Sequence, residues 1–233
     1  MNLKVCGMNH NLEEVAQLQP DYLGFIFWEP SSRYFSGEIP KLPSSIKKVG
    51  VFVDASLEEV IQKVEEYQLN AVQLHGKETA VYCKELKESF LSFRAQSRNL
   101  KEFHENKVST ALDLTKIDII KVFSIKDDFD FEVLKDYEEI CDYFLFDTKG
   151  KLPGGNGYTF DWSVLEKYPS NKPYFLSGGI GLESKEKLKA FLNSTASKNC
   201  FAIDVNSKFE TAPGLKNIED LKIFIESLNS GRN

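Results

Sequence analysis

The chain has 233 residues, of which 42% are hydrophobic and 27% charged, and a formal net charge of −6. That length holds one large domain and is short for two, and the composition excludes a disordered chain. The acidic balance argues against general electrostatic binding to nucleic acid, and the longest apolar run, Tyr22 to Trp28, falls far short of a membrane span.

The alternation of short apolar runs with amphipathic segments predicts strands and helices in turn. Strands are expected at Leu3–Cys6, Tyr22–Phe27, Lys48–Val53, Ala71–His75, Ile119–Ser124, Tyr143–Phe146, Tyr174–Ser177 and Phe201–Val205. They are short, mostly apolar and rich in β-branched or aromatic residues, as buried parallel strands are. Helices are expected at Leu57–Gln68, Thr79–Phe90, Phe129–Ile140, Trp162–Tyr168, Lys185–Leu192 and Ile218–Leu228. Ser56 with Glu59 reads as a capping box, and Asn11 with Glu14 as a looser one. After the second strand, Pro30, Pro40 and Pro43 leave room only for a short or irregular helix. Leu91–Ala95 also reads as a possible strand, but Ile119–Ser124 is preferred as the fifth. Residues 91–118 then form an insertion or an elaborated connection. Eight strands with intervening helices predict an α/β fold, a single (β/α)8 TIM barrel over residues 1–233.

In such a barrel the C-terminal ends of the strands open onto one mouth. Cys6 ends the first strand and Asp147 follows the sixth, so a thiol and a carboxyl are expected to face a shared pocket, where they can move two protons on a small molecule. Cys83, Cys141 and Cys200 lie among apolar neighbours, and no two cysteines have the close spacing of a metal or redox motif. Glycines at Gly154, Gly155 and Gly157, and Gly178 and Gly179 after Ser177, let backbone N–H groups approach an oxyanion. Asn206 and Ser207 follow the eighth strand, a usual phosphate position in these barrels. Arg33 can fork a carboxylate or stand as a surface arginine, His75 reads as a pocket wall, and Asp204 can accept from a substrate or orient a loop. No His cluster, Walker loop or dinucleotide fingerprint is present, so neither a metal nor a cofactor is expected. Met1 to His10 lacks the pattern of a secretory signal, which predicts a cytoplasmic protein. A monomer is the default.

Together these segments resemble the N-(5′-phosphoribosyl)anthranilate isomerases of tryptophan biosynthesis. The resemblance rests on Lys4-Val5-Cys6-Gly7, Gly24-Phe25-Ile26-Phe27, Ser32-Arg33-Tyr34, Val49-Gly50-Val51-Phe52 and Val72-Gln73-Leu74-His75-Gly76. It continues through Phe146-Asp147-Thr148, Gly154-Gly155-Asn156-Gly157, Leu176-Ser177-Gly178-Gly179 and Asp204-Val205-Asn206-Ser207, and so spans nearly the whole chain. It implies an Amadori rearrangement of phosphoribosylanthranilate to an aminoketose, without cofactor. By the resemblance, Asp147 is the general acid and Cys6 the general base. Arg33 grips the anthranilate carboxylate, and Gly155, Gly157, Ser177, Gly178, Gly179, Asn206 and Ser207 surround the phosphate, with Asp204 and His75 in the pocket. The chain departs from the family at Tyr158, where many members carry lysine or another polar residue, and at Lys208, where others carry glycine. Lys208 either adds charge toward the phosphate or points to solvent. An acid at the usual aspartate pKa of ~3.9 is a poor proton donor at neutral pH, so Asp147 is expected to be raised. Cys6 is expected to be lowered, or else to work through a minor thiolate fraction. The alternatives are a histidine-pathway isomerase, which uses an aspartate where Cys6 stands, and a non-catalytic sugar-phosphate-binding barrel.

Overall fold

A computed structural model describes residues 1–102, 117–126, 128–148 and 160–230, with backbone only at 93–102 and 229–230. Eight parallel strands close into a barrel in sequence order: β1 (Asn2–Val5), β2 (Tyr22–Ile26), β3 (Lys47–Phe52), β4 (Ala71–Leu74), β5 (Asp118–Ile125), β6 (Tyr143–Thr148), β7 (Tyr174–Leu176) and β8 (Cys200–Val205). All eight expected strands are present, with ends shifted by one or two residues. β8 pairs with β1 to close the ring, Lys4 standing opposite Asp204.

The register separates two cores. Side chains on alternate residues point inward, and Tyr22, Val49, Ala71, Ile120, Val122, Leu145, Phe175 and Ala202 form one interior cluster. Phe201 joins it because the β7–β8 pairing slips between Tyr174 and Phe175, a bulge that leaves Phe201 as the extra residue. Its ring meets those of Tyr143 at 4.8 Å and Phe175 at 5.6 Å, so aromatics plug the lower barrel. The larger cluster lies outside the strands, between them and the helices.

The connections are α1 (Leu12–Gln17), α2 (Leu57–Tyr67), α3 (Ala80–Glu102), α4 (Lys135–Glu138), α5 (Lys185–Leu192) and α6 (Ile218–Ser230). Ser56 caps α2, accepting from Glu59 N at 3.1 Å. Asn11 does not cap α1 with its side chain. Instead its amide is exchanged with the backbone of Lys216, donating to O at 2.9 Å and accepting from N at 3.0 Å. The helices expected at Phe129–Ile140 and Trp162–Tyr168 are shorter and tighter. Phe131–Leu134 and Trp162–Lys167 are 3₁₀ turns, opened by Asp130 and Asp161, whose carboxylates accept from the backbone two residues on. Pro169 ends the second. Leu91–Ala95, read as a possible strand, lies within α3.

No helix joins β2 to β3. The chain returns through a bridge between Ile26 and Tyr34, and Phe35 fills the space a helix would cover. Its ring packs at 4.9 Å on Phe25 and at 5.6 Å on Tyr67. After β8, a two-stranded hairpin of β9 (Glu210–Ala212) and β10 (Leu215–Lys216) folds back over the barrel mouth.

Candidate active site

Cys6 continues the line of β1, its N–H donating to Val205 O at 2.8 Å. It stands two residues beyond Lys4, on the inward face. Gly24 makes room for it: a Cβ there would lie 2.8 Å from Cys6 Sγ. Asp147 stands in the inward register of β6, opposite Ser124. Both residues line one cleft, together with Gln73, His75, Ser177, Gly178, Gly179, Asp204, Asn206, Ser207 and Lys208. A thiol from β1 and a carboxyl from β6 therefore face one space, where the sequence places them.

The carboxyl is oriented by two neighbours. Thr148 N donates to Asp147 Oδ1 at 2.8 Å, and His75 Nε2 lies 3.4 Å from Oδ2. Gln73 Nε2 lies 3.4 Å from His75 Nδ1. His75 is thus a wall that also points Asp147. Gln73 Oε1 is buried without a hydrogen-bond partner among the described residues.

Below Cys6, Lys4 is fully buried and its Nζ donates to Asp204 Oδ1 at 2.8 Å. Ser177 Oγ donates to Asp204 Oδ2 at 3.1 Å, so both carboxylate oxygens are engaged and the loop-orienting reading of Asp204 is favoured. Burial alone would lower the Lys4 ammonium, but Asp204 and Cys6 outweigh it and hold the group above the ordinary lysine value. Burial pushes the Cys6 thiol up. Lys4 and Lys216 oppose this, Asp204 adds to it, and the result stays above the ordinary thiol value. Of the two expectations for Cys6, a lowered thiol is therefore not what the surroundings produce: burial outweighs the cations, which leaves the alternative of a minor thiolate fraction.

Arg33 does not line the cleft directly. Its Nε and Nη2 form a fork with Glu210 on β9, at 2.8 Å and 2.7 Å to Oε2. Lys216 on β10 donates to the same carboxylate at 2.8 Å and to Asn206 Oδ1 at 2.8 Å. Burial would raise Glu210, but Arg33 and Lys216 together hold it below the usual carboxylate range. Lys208 does not point to solvent alone. It lines the cleft and is tied to Glu183 at 2.7 Å.

Gly155, Gly157 and Tyr158 lie outside the described residues. Sequence reading missed Lys4, Gln73, Glu210 and Lys216. A lysine two residues before Cys6 and a glutamine two before His75, each within an apolar strand, carried a period-two signal. Glu210 and Lys216 carried none, because polar residues in a loop are ordinary.

The chain is similar over nearly its whole length to proteins of one family. The family described as N-(5′phosphoribosyl)anthranilate (PRA) isomerase matches residues 3–112 and 100–227. N-(5′-phosphoribosyl)anthranilate isomerase from Phocaeicola vulgatus is 37% identical over 230 residues, covering 98% of both chains. The enzyme of the same name from Parabacteroides distasonis is 37% identical over 240 residues, covering 98% of this chain and 93% of its own. Among solved structures, phosphoribosyl anthranilate isomerase from Thermotoga maritima superposes with a TM-score of 0.74 at 29% identity over 99% of both chains. A further structure of the isomerase, in complex with reduced 1-(o-carboxyphenylamino)-1-deoxyribulose 5-phosphate, gives 0.70 at 27% identity over 99% of both chains. The chain belongs to the N-(5′-phosphoribosyl)anthranilate isomerase family.

Proposed function

We propose that the chain catalyses the Amadori rearrangement of N-(5′-phosphoribosyl)anthranilate to 1-(2-carboxyphenylamino)-1-deoxyribulose 5-phosphate in tryptophan biosynthesis, with Cys6 and Asp147 as its acid–base pair. The observation that carries the roles is that this thiol and this carboxyl face one cleft from β1 and β6. Asp147 gives its proton to the ribose ring oxygen as the C1–O bond breaks, and the nitrogen lone pair forms the Schiff base. Cys6, as thiolate, then takes the C2 proton. The C2–H electrons form the C1–C2 double bond of an enolamine and return the iminium pair to nitrogen. Tautomerisation gives the ketone.

The phosphate belongs at the rim formed by Ser177, Gly178, Gly179, Asn206 and Ser207, with Gly155 and Gly157 assigned to the same anion by sequence. Glu210 uses Nε and Nη2 of Arg33. Its Nη1 edge, with no protein partner among the described residues, is left for the anthranilate carboxylate. The whole of 1–233 is read as one cytoplasmic, monomeric barrel domain. Among the described residues no helix is long and apolar enough to cross a membrane.

The test generates phosphoribosylanthranilate in situ from anthranilate and phosphoribosyl pyrophosphate with a separate transferase, then adds the protein. Accelerated loss of the substrate's fluorescence with formation of the aminoketose supports the reading. No acceleration by folded protein, with turnover of the histidine-pathway phosphosugar instead, overturns it.

A further inference from the structure

The mechanism above needs Cys6 as thiolate in a buried place, and the groups around it differ in what they do to that charge. Those facing it are Lys4 from β1, Asp204 from β8, Lys216 from β10, and Asp147 and His75 from the ends of β6 and β4. Lys208 lines the same cleft. Arg33 adjoins Gly7, whose Cβ would lie 2.9 Å from its Cδ. Most of these have other work. Lys216 is divided between Asn206 and Glu210, Lys208 is paired with Glu183, and Arg33 is forked by Glu210.

Lys4 differs. It is fully buried inside the barrel, it shares the inward face of β1 with Cys6, and its ammonium donates to Asp204 at 2.8 Å while standing within hydrogen-bond reach of the Cys6 thiol. An ammonium has three donors, and a buried one gains from a second anion beside it. Asp204 is itself fixed by Ser177, so the lysine is anchored from behind with its charge held under the thiol.

We propose that Lys4, anchored by Asp204, is the positioning residue that stabilises the thiolate form of Cys6. The inference rests on Cys6 being the base. The ion pair carries both signs: Lys4 favours the thiolate and Asp204 restrains it, and each acts electrostatically on the thiol. When a proton leaves Cys6, Lys4 becomes a cation shared between two anions rather than matched to one. Removing Lys4 therefore leaves the thiolate facing a carboxylate, whereas neutralising Asp204 makes the thiolate the main counter-charge of a buried cation.

The test follows the Cys6 thiol itself. Wild type, Lys4→Met, Asp204→Asn and Lys4→Arg are alkylated with iodoacetamide from about pH 6 to 10. Modification of Cys6 is read by peptide mass spectrometry and kcat/KM is recorded over the same range. Lys4→Met is expected to slow Cys6 alkylation at neutral pH by about tenfold or more and to move the acid limb of kcat/KM to higher pH. Asp204→Asn is expected to do the reverse, and Lys4→Arg to keep part of the wild-type rate. Circular dichroism establishes that each variant is folded. Wild-type midpoints in folded Lys4→Met overturn the proposal. If that variant does not fold, an unchanged or alkaline-shifted midpoint in Asp204→Asn overturns it. Thiol titration does not depend on turnover, whereas full activity in Cys6→Ala would remove the acid–base reading, so the two failures are distinct.

Discussion

Gly24→Ala probes the seat of the thiol with a single methyl group. The new Cβ would lie 2.8 Å from Cys6 Sγ, 3.1 Å from its Cα and 3.3 Å from its Cβ, whereas ordinary contacts begin at 3.4 Å. Something must move by about 0.6 Å, and the side chain can yield more readily than a backbone tied to Val205 O at 2.8 Å. A displacement of about 1 Å is worth about 10²-fold in rate, so 0.6 Å predicts a loss of kcat of roughly ten- to a hundredfold. Overpacking of this kind costs about 1–3 kcal/mol, or roughly 2–12 °C in Tm for a chain of this size. Gly37→Ala, whose Cβ would stand 3.7 Å from the Phe35 ring, serves as the control and should match wild type in kcat. The assay is steady-state turnover beside a thermal melt. Wild-type kcat in Gly24→Ala, whether or not Tm falls, would refute the placement of Cys6 as a group held to sub-ångström tolerance.

Three further outcomes follow from the same geometry. Glu210→Gln leaves Arg33 and the fully buried Lys216 without their shared anion, and should cost about 3–5 kcal/mol in urea unfolding; a cost under about 1 kcal/mol would contradict a buried triad. Because Glu210 sits below its ordinary 4.5 in the folded chain, its contribution is present above that value and lost as pH falls through the lower folded value. The Tm gap between wild type and Glu210→Gln should therefore narrow as pH falls below about 4.5, and a gap that widened would show the sign to be wrong. His75→Leu removes the contact that points Asp147 and should lower kcat about tenfold, with unchanged kcat reducing His75 to a wall alone.

Fold and site differed in how far they could be read from the chain. Buried parallel strands are predominantly apolar, which is why all eight were visible and why Cys6 and Asp147, at strand ends, were expected at one mouth. The 3₁₀ turns at Phe131–Leu134 and Trp162–Lys167 were not separable from α-helix, because four and six residues hold no more than two turns of either period. Asn11 looked like a cap because its local partners suit one. The acceptor and donor it uses belong to Lys216, 205 residues away. The same applies to Lys4 with Asp204, 200 residues apart, and Arg33 with Glu210, 177 apart. Closing the ring brings these charges together, and no local pattern records which strand end will meet which.

The central claim is that Cys6 and Asp147 move the protons of the isomerisation, and it is tested most directly by turnover of Cys6→Ala and Asp147→Asn in the phosphoribosylanthranilate assay. The account predicts that each lowers kcat by at least ~10²-fold while the melting curve stays close to wild type. Near-normal turnover by either folded variant would contradict it.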